Sequence, residues 1–126
     1  MSKPNIYISH DDHEELIDLA LKALGRAPGA ALLLQEMQRA TVTDALPANV
    51  VTMNSSIDFE RGGHHYRDFR LVYPRCADVT DGRISILTPV GAALIGLAEG
   101  AMISWLGPQK EAQSLTVLKV KQPVAT

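Results

Sequence analysis

The stretch Arg83-Ile84-Ser85-Ile86-Leu87-Thr88-Pro89-Val90-Gly91-Ala92-Ala93-Leu94-Ile95-Gly96 changes its period midway. Residues 83–87 are apolar and β-branched enough for a strand. Thr88 then offers a hydroxyl for a helix N-cap. Pro89 suits the first helical position, where a missing N–H costs nothing. A short helix should run through Ile95 and close at Gly96. Toward the C-terminus, residues 101–106 and 114–121 read as two more strands, with Pro108 in the turn between them. The tail from Gln122 should fray. Toward the N-terminus, residues 78–82 turn the chain, and residues 65–73 form a strand that Pro74 ends. Its alternation sets Arg67, Phe69, Leu71 and Tyr73 against Tyr66, Asp68, Arg70 and Val72. Gly62-Gly63 marks a hairpin turn. Residues 50–60 form the strand before it, with Val51, Met53, Ile57 and Phe59 inward and a bulge around Asn54-Ser55-Ser56. The expected sheet is antiparallel and carries one short helix.

Before residue 45 the period is helical. Ser9 is an N-cap, and Asp11, Asp12, Glu14 and Glu15 suit the positive end of a helix dipole. Leu16, Ile17, Ala20, Leu21 and Leu24 form an apolar stripe that Gly25 stops. Ala30, Leu33, Leu34, Met37 and Ala40 form a second. The connector Gly25-Arg26-Ala27-Pro28-Gly29 is too short for anything but an antiparallel pair. Ile6-Tyr7-Ile8 is a strand stub, and residues 41–49 read as a linker. The fold class is α+β: a helical hairpin, or short coiled coil, over residues 1–44, then a sheet domain over residues 45–126. A sheet domain this small sits near the lower limit for unaided stability. The hairpin should therefore pack on it or on a second copy, which leaves room for a homodimer.

Composition narrows the function. Net charge is −2, which disfavours non-specific wrapping of nucleic acid. Residues 1–46 carry net −3 and residues 47–126 net +1, so the two parts present different surfaces. The longest apolar run, residues 30–34, cannot span a bilayer, and the N-terminus lacks the apolar stretch of a signal peptide. Cys76 is the sole cysteine, so no intrachain disulfide forms, and a reducing, cytoplasmic setting follows.

No strong catalytic constellation stands out. His10 and His13 share a helix face beside Asp11 and Asp12, but no further metal ligand can be named. His64 and His65 point to opposite faces of a strand. Cys76 has no base at a useful spacing and reads as a partly buried, inert thiol. Nucleophile elbows, phosphate loops and dinucleotide fingerprints are missing from the sequence. Arg67 and Arg70 have opposite parity, so Arg61, Arg67, Arg70, Arg75 and Arg83 do not form one regular stripe. The residues themselves favour a binding module, with no cofactor and no metal.

Two segments carry a resemblance. Val50-Val51-Thr52-Met53-Asn54-Ser55 with Leu71-Val72-Tyr73-Pro74, and residues 84–100, resemble the C-terminal domain of the GreA/GreB transcription elongation factors. More closely, they resemble the regulator of nucleoside diphosphate kinase family, Rnk. The resemblance implies an FKBP-like C-terminal domain and a partner, bacterial RNA polymerase, bound at the rim of its secondary channel. It implies polymerase docking through Thr88, Pro89, Val90 and Gly91, and competition with Gre factors. It implies no direct sequence-specific contact with nucleic acid, although the wider family is associated with DNA.

Gre factors stimulate transcript cleavage through acidic residues at the tip of a long coiled coil, which help hold magnesium. Here the hairpin tip is Gly25, Arg26, Ala27, Pro28 and Gly29, with no carboxylate for a hard cation. Asp18 and Glu36 lie about two turns from it. Cleavage stimulation is therefore not expected. Ala101 replaces an acid that many relatives carry. The family name implies a second partner, nucleoside diphosphate kinase, through contact or through expression. A third reading, a peptidyl-prolyl isomerase by fold analogy, suffers from the chain's six aromatic residues, too few to line such a pocket.

Overall fold

The structure, a computed structural model, describes residues 3–123. β1 (Tyr7–Ile8) leads into α1 (His10–Ala23), α2 (Ala30–Arg39) and β2 (Thr41–Val42). The chain continues through β3 (Ser56–Arg61), β4 (His64–Val72), β5 (Arg83–Ser85), α3 (Pro89–Leu94), β6 (Met102–Leu106) and β7 (Ala112–Lys121).

α1 starts where the sequence places it. Ser9 is extended, and its hydroxyl accepts the Asp12 N–H at 3.3 Å. The helix ends just before Gly25, whose φ of +79° suits a residue without Cβ. Leu16 and Ala20 of α1 and Ala30, Leu33 and Met37 of α2 are buried. His13 Nε2 lies 2.9 Å from the Met37 carbonyl oxygen. The first turn of α1 thus faces the last turn of α2, and the helices run in opposite directions. The supposed linker opens with a strand: β2 pairs in parallel with β1, Tyr7 opposite Thr41. Glu36 is fully buried in α2. Lys3 Nζ donates to it at 3.0 Å and Arg39 Nη2 at 2.6 Å, while Arg39 Nη1 donates to the Pro4 carbonyl. A buried carboxylate needs such partners.

The main sheet has the order β5-β4-β3-β7-β6. It is antiparallel except at one pair, which corrects the expectation: β5 runs parallel to β4, Arg70 opposite Arg83. The cause is a second reversal. The chain turns at Pro74–Cys76 and again at Val79–Asp81, where Gly82 at φ +71° redirects it. A single hairpin would have left the strands antiparallel.

β3 is shorter than expected. Residues 52–55 form a turn, with Asn54 at φ +67° and the Ser55 N–H donating to the Thr52 carbonyl at 3.1 Å. Ser55 is buried because its hydroxyl accepts the Thr52 N–H at 2.9 Å. Val51, Met53, Ile57 and Phe59 are nevertheless all buried. The expected bulge lies elsewhere. Ile57 pairs with Phe69, but Phe59 pairs with Tyr66, so β4 carries the extra residue. Asp68 sits there at φ +56°, and its N–H donates to Asp58 Oδ1 at 2.8 Å. The bulge resets the alternation. Tyr66 stacks on Phe59 with centroids 4.8 Å apart, while Arg67 and Arg70 both end exposed.

One core joins both parts. Ile6, Leu16 and Leu33 share it with Leu71, Leu94 and Ile103, so Leu16, Ala20, Leu33 and Met37 are covered, whereas Leu21 and Leu24 of the expected α1 stripe stay exposed toward the hairpin tip. Gln122 does not fray: its amide donates to the Pro47 and Val50 carbonyls, each at 2.9 Å. The rest of the tail, residues 124–126, lies outside the described residues. Among those residues no helix is long and apolar enough to cross a membrane.

Candidate functional site

The loop into α3 is built as its sequence dictates. Thr88 is extended, and its hydroxyl accepts the Gly91 N–H at 3.1 Å while donating to the Ser85 carbonyl at 2.7 Å. The Leu87 N–H donates to Ser85 Oγ at 3.1 Å. Thr88, Pro89 and Val90 are half-buried, whereas Gly91 is buried. A Cβ on Gly91 would overlap the Ser85 carbonyl, so Gly91 serves close packing of α3 on β5.

The structure joins the two stretches singled out in the sequence. The Gly29 N–H donates to the Leu87 carbonyl at 2.7 Å. Gly29 is buried, and a Cβ there would overlap the Thr88 carbonyl. The helix-pair tip therefore lies on the loop before α3. Gly25, Arg26 and Pro28 stay exposed, and Ala27 is half-buried. Near the tip, Asp18 pairs with Lys22 at 2.9 Å, and Glu36 is taken up by the buried network with Lys3 and Arg39.

Pro28 and Pro89 line one groove of about 930 Å³ between α2 and the β6–β7 turn. Trp105 is on its floor, and the Arg61 guanidinium carbon stands 6.0 Å from the indole centroid. Sequence reading passed over this pair. The available signal was only that Trp105 is the single tryptophan. Arg61 on β3 and Trp105 on β6 are separated by β7, whose Gln113 pairs with Trp105 and accepts from Arg61.

The other candidates separate. His10 Nδ1 is 3.1 Å from Asp44 Oδ2, and His13 turns to Met37, so the two imidazoles have different partners. Hydrogen bonding to the His10 N–H holds the Asp44 carboxyl below its usual range. Burial and the nearby Glu15 charge push Asp12 up. Burial, with Glu15 and Asp12 nearby, pushes the Tyr73 phenol up to about 12. His65 faces Glu60 at 3.0 Å. Among the described residues no group of side chains has the composition of a metal site. Cys76 is exposed, not partly buried, because it sits on the surface turn after β4. Arg83 lies between Asp78 and Asp81, at 3.7 and 3.6 Å.

A paired-helix N-terminal part, followed by a curled five-stranded sheet with a short helix seated on it, defines the architecture of the Gre-related factors. The chain matches the family model for the C-terminal part of transcription elongation factors GreA/GreB over residues 46–122, and the Rnk N-terminus over residues 4–42. It is 38% identical over 131 aligned positions to the regulator of nucleoside diphosphate kinase of Escherichia coli (strain K12), covering 99% of this chain and 96% of that one. A solved prokaryotic transcription elongation factor GreA/GreB from Nitrosomonas europaea is 36% identical and superposes with a TM-score of 0.70, over 94% of this chain and all of that one. The chain belongs to the Rnk family, regulators of nucleoside diphosphate kinase, whose C-terminal part is a GreA/GreB-type domain.

Proposed function

We propose that this protein is a non-enzymatic regulator that binds bacterial RNA polymerase at the rim of the secondary channel. It competes there with Gre factors and does not stimulate transcript cleavage. Residues 45–126 are the FKBP-like docking domain, with Thr88, Pro89 and Val90 as the contact and Gly91 shaping the loop beneath them. Residues 1–44 are the counterpart of the Gre coiled-coil arm, reduced to a short hairpin. Such a role is carried out in the cytoplasm, with the protein's own surface as its only tool.

The observation that carries this reading is the tip. The residues that would have to present carboxylates to magnesium are Gly25, Arg26, Ala27, Pro28 and Gly29, and Gly29 is bonded to Leu87 instead of projecting away. A protein of this kind can occupy a docking position without supplying the cleavage chemistry. The relatives support a regulatory role, since they carry the names of regulators and elongation factors.

The test is direct binding to core RNA polymerase by the full chain, with Pro89→Asp as the variant. Saturable binding that a Gre factor displaces, and that the variant loses while keeping its fold, is the expected outcome. Absence of binding by folded protein at tens of micromolar overturns the proposal. Pull-down of nucleoside diphosphate kinase under the same conditions would then make that enzyme the direct partner.

A further inference from the structure

The groove between α2 and the β6–β7 turn has a chemistry of its own. Its volume, about 930 Å³, is at the upper end of pockets that take small ligands, which suits a peptide segment of several residues. Its walls are apolar: Leu32 from α2, Pro89 from α3, and Leu106 and Pro108 from the far side. Leu106 is 69% exposed and adds apolar surface to the groove's rim.

One cation faces this space without a carboxylate. Arg61 Nη2 donates to Gln113 Oε1 at 3.1 Å, while Arg61 Nε is buried and has no partner among the described residues. A buried donor left unpaired is costly, and a charged one more so. The other charged side chains of the groove are already engaged. Glu111 accepts the Gln109 N–H at 2.9 Å, and Lys3 is held by Glu36 at 3.0 Å. The indole of Trp105 supports the guanidinium from beneath.

We infer that this groove is a docking site for an apolar peptide segment of a protein partner that carries one carboxylate. Because Nε itself is buried, the carboxylate meets the outer N–H groups of the Arg61 guanidinium, and its aliphatic neighbours lie on Trp105, Leu32 and Pro89. An ionised acceptor is what a free guanidinium N–H recognises best. This site shares Pro89 with the proposed polymerase contact but is tested apart from it, because the titration needs no polymerase.

Trp105 is the only tryptophan, so its fluorescence reports the groove floor directly. The full chain is titrated with an acetylated, amidated pentapeptide of alanine, leucine, aspartate, leucine and alanine, then with its asparagine counterpart, then with acetate. The expected result is a saturable change with the aspartate peptide, binding about tenfold weaker with asparagine, and no matching change with acetate. Arg61→Gln should bring the two peptides to equal affinity, and Leu32→Ala should weaken both. Arg61→Lys, which keeps the charge, should retain part of the preference. Equal affinity in the wild type, the same change with acetate alone, or no saturable change at millimolar peptide overturns the inference. Loss of polymerase competition with these titrations intact would fault the docking proposal only.

Discussion

Replacing Gly29 with alanine probes the seam between the helix pair and the sheet domain. At φ −95° the residue has an ordinary backbone, so alanine brings no torsional strain. The whole effect therefore comes from space. The added methyl would overlap the Thr88 carbonyl carbon and oxygen and the Leu87 oxygen, all backbone atoms that cannot rotate away. Relieving that overlap means moving the start of α2 off the loop and stretching the 2.7 Å bond from the Gly29 N–H to Leu87. Overpacking costs about 1–3 kcal/mol, and the lost hydrogen bond about 0.5–1.5 kcal/mol. The expected loss is roughly 2–4 kcal/mol. Gly25→Ala is the contrast. Gly25 has open space around it and φ +79°, so its cost is conformational, about 1 kcal/mol. Urea unfolding followed by far-ultraviolet circular dichroism separates the two. Equal losses, or a Gly29→Ala protein within about 0.5 kcal/mol of wild type, would refute the tight seam.

Three further outcomes follow from the same geometry. The Tyr73 phenol is raised to about 12 from 10.0, so the folded state holds that proton more tightly. Stability should be unaffected by Tyr73 below pH 10 and fall as pH rises between the two values, and Tyr73→Phe should remove a tyrosinate absorbance step near pH 12 from the native protein. Glu36→Gln should cost about 1–3 kcal/mol in urea unfolding, because Lys3 and Arg39 lose a fully buried anion yet keep a route to solvent. Thr88→Ala should cost about 0.5–2 kcal/mol by losing the α3 cap, while Thr88→Ser, which keeps the hydroxyl, should recover most of it.

Local signals in the sequence were reliable where one residue decides the backbone. Ser9 and Thr88 cap α1 and α3, the Gly62-Gly63 turn joins β3 to β4, and Gly96 closes α3 at φ +81°. What failed depends on contacts distant along the chain. The pairing of β4 with β5 is parallel because of two successive turns, and strand patterning does not count turns. The bulge moved from residues 54–56 to Asp68, where Asp58 on the neighbouring strand stabilises it, so the parity drawn for Arg67 and Arg70 broke down. Gln122 was misread because its carbonyl partners lie more than seventy residues away. The site was half legible. The loop at residues 88–91 and the tip at residues 25–29 could each be picked out, but their meeting at Gly29 and Leu87 is a tertiary fact, as is the placing of Arg61 over Trp105.

The decisive experiment is Gre-stimulated transcript cleavage in a stalled elongation complex, titrated with the full chain. Occupation of the channel rim without catalytic carboxylates should suppress cleavage in proportion to binding, and Pro89→Asp should restore it. The protein alone should produce no cleavage at any concentration. Cleavage stimulated by the protein itself, or Gre activity untouched when folded protein is in large excess, would show that the docking reading of residues 88–91 is wrong.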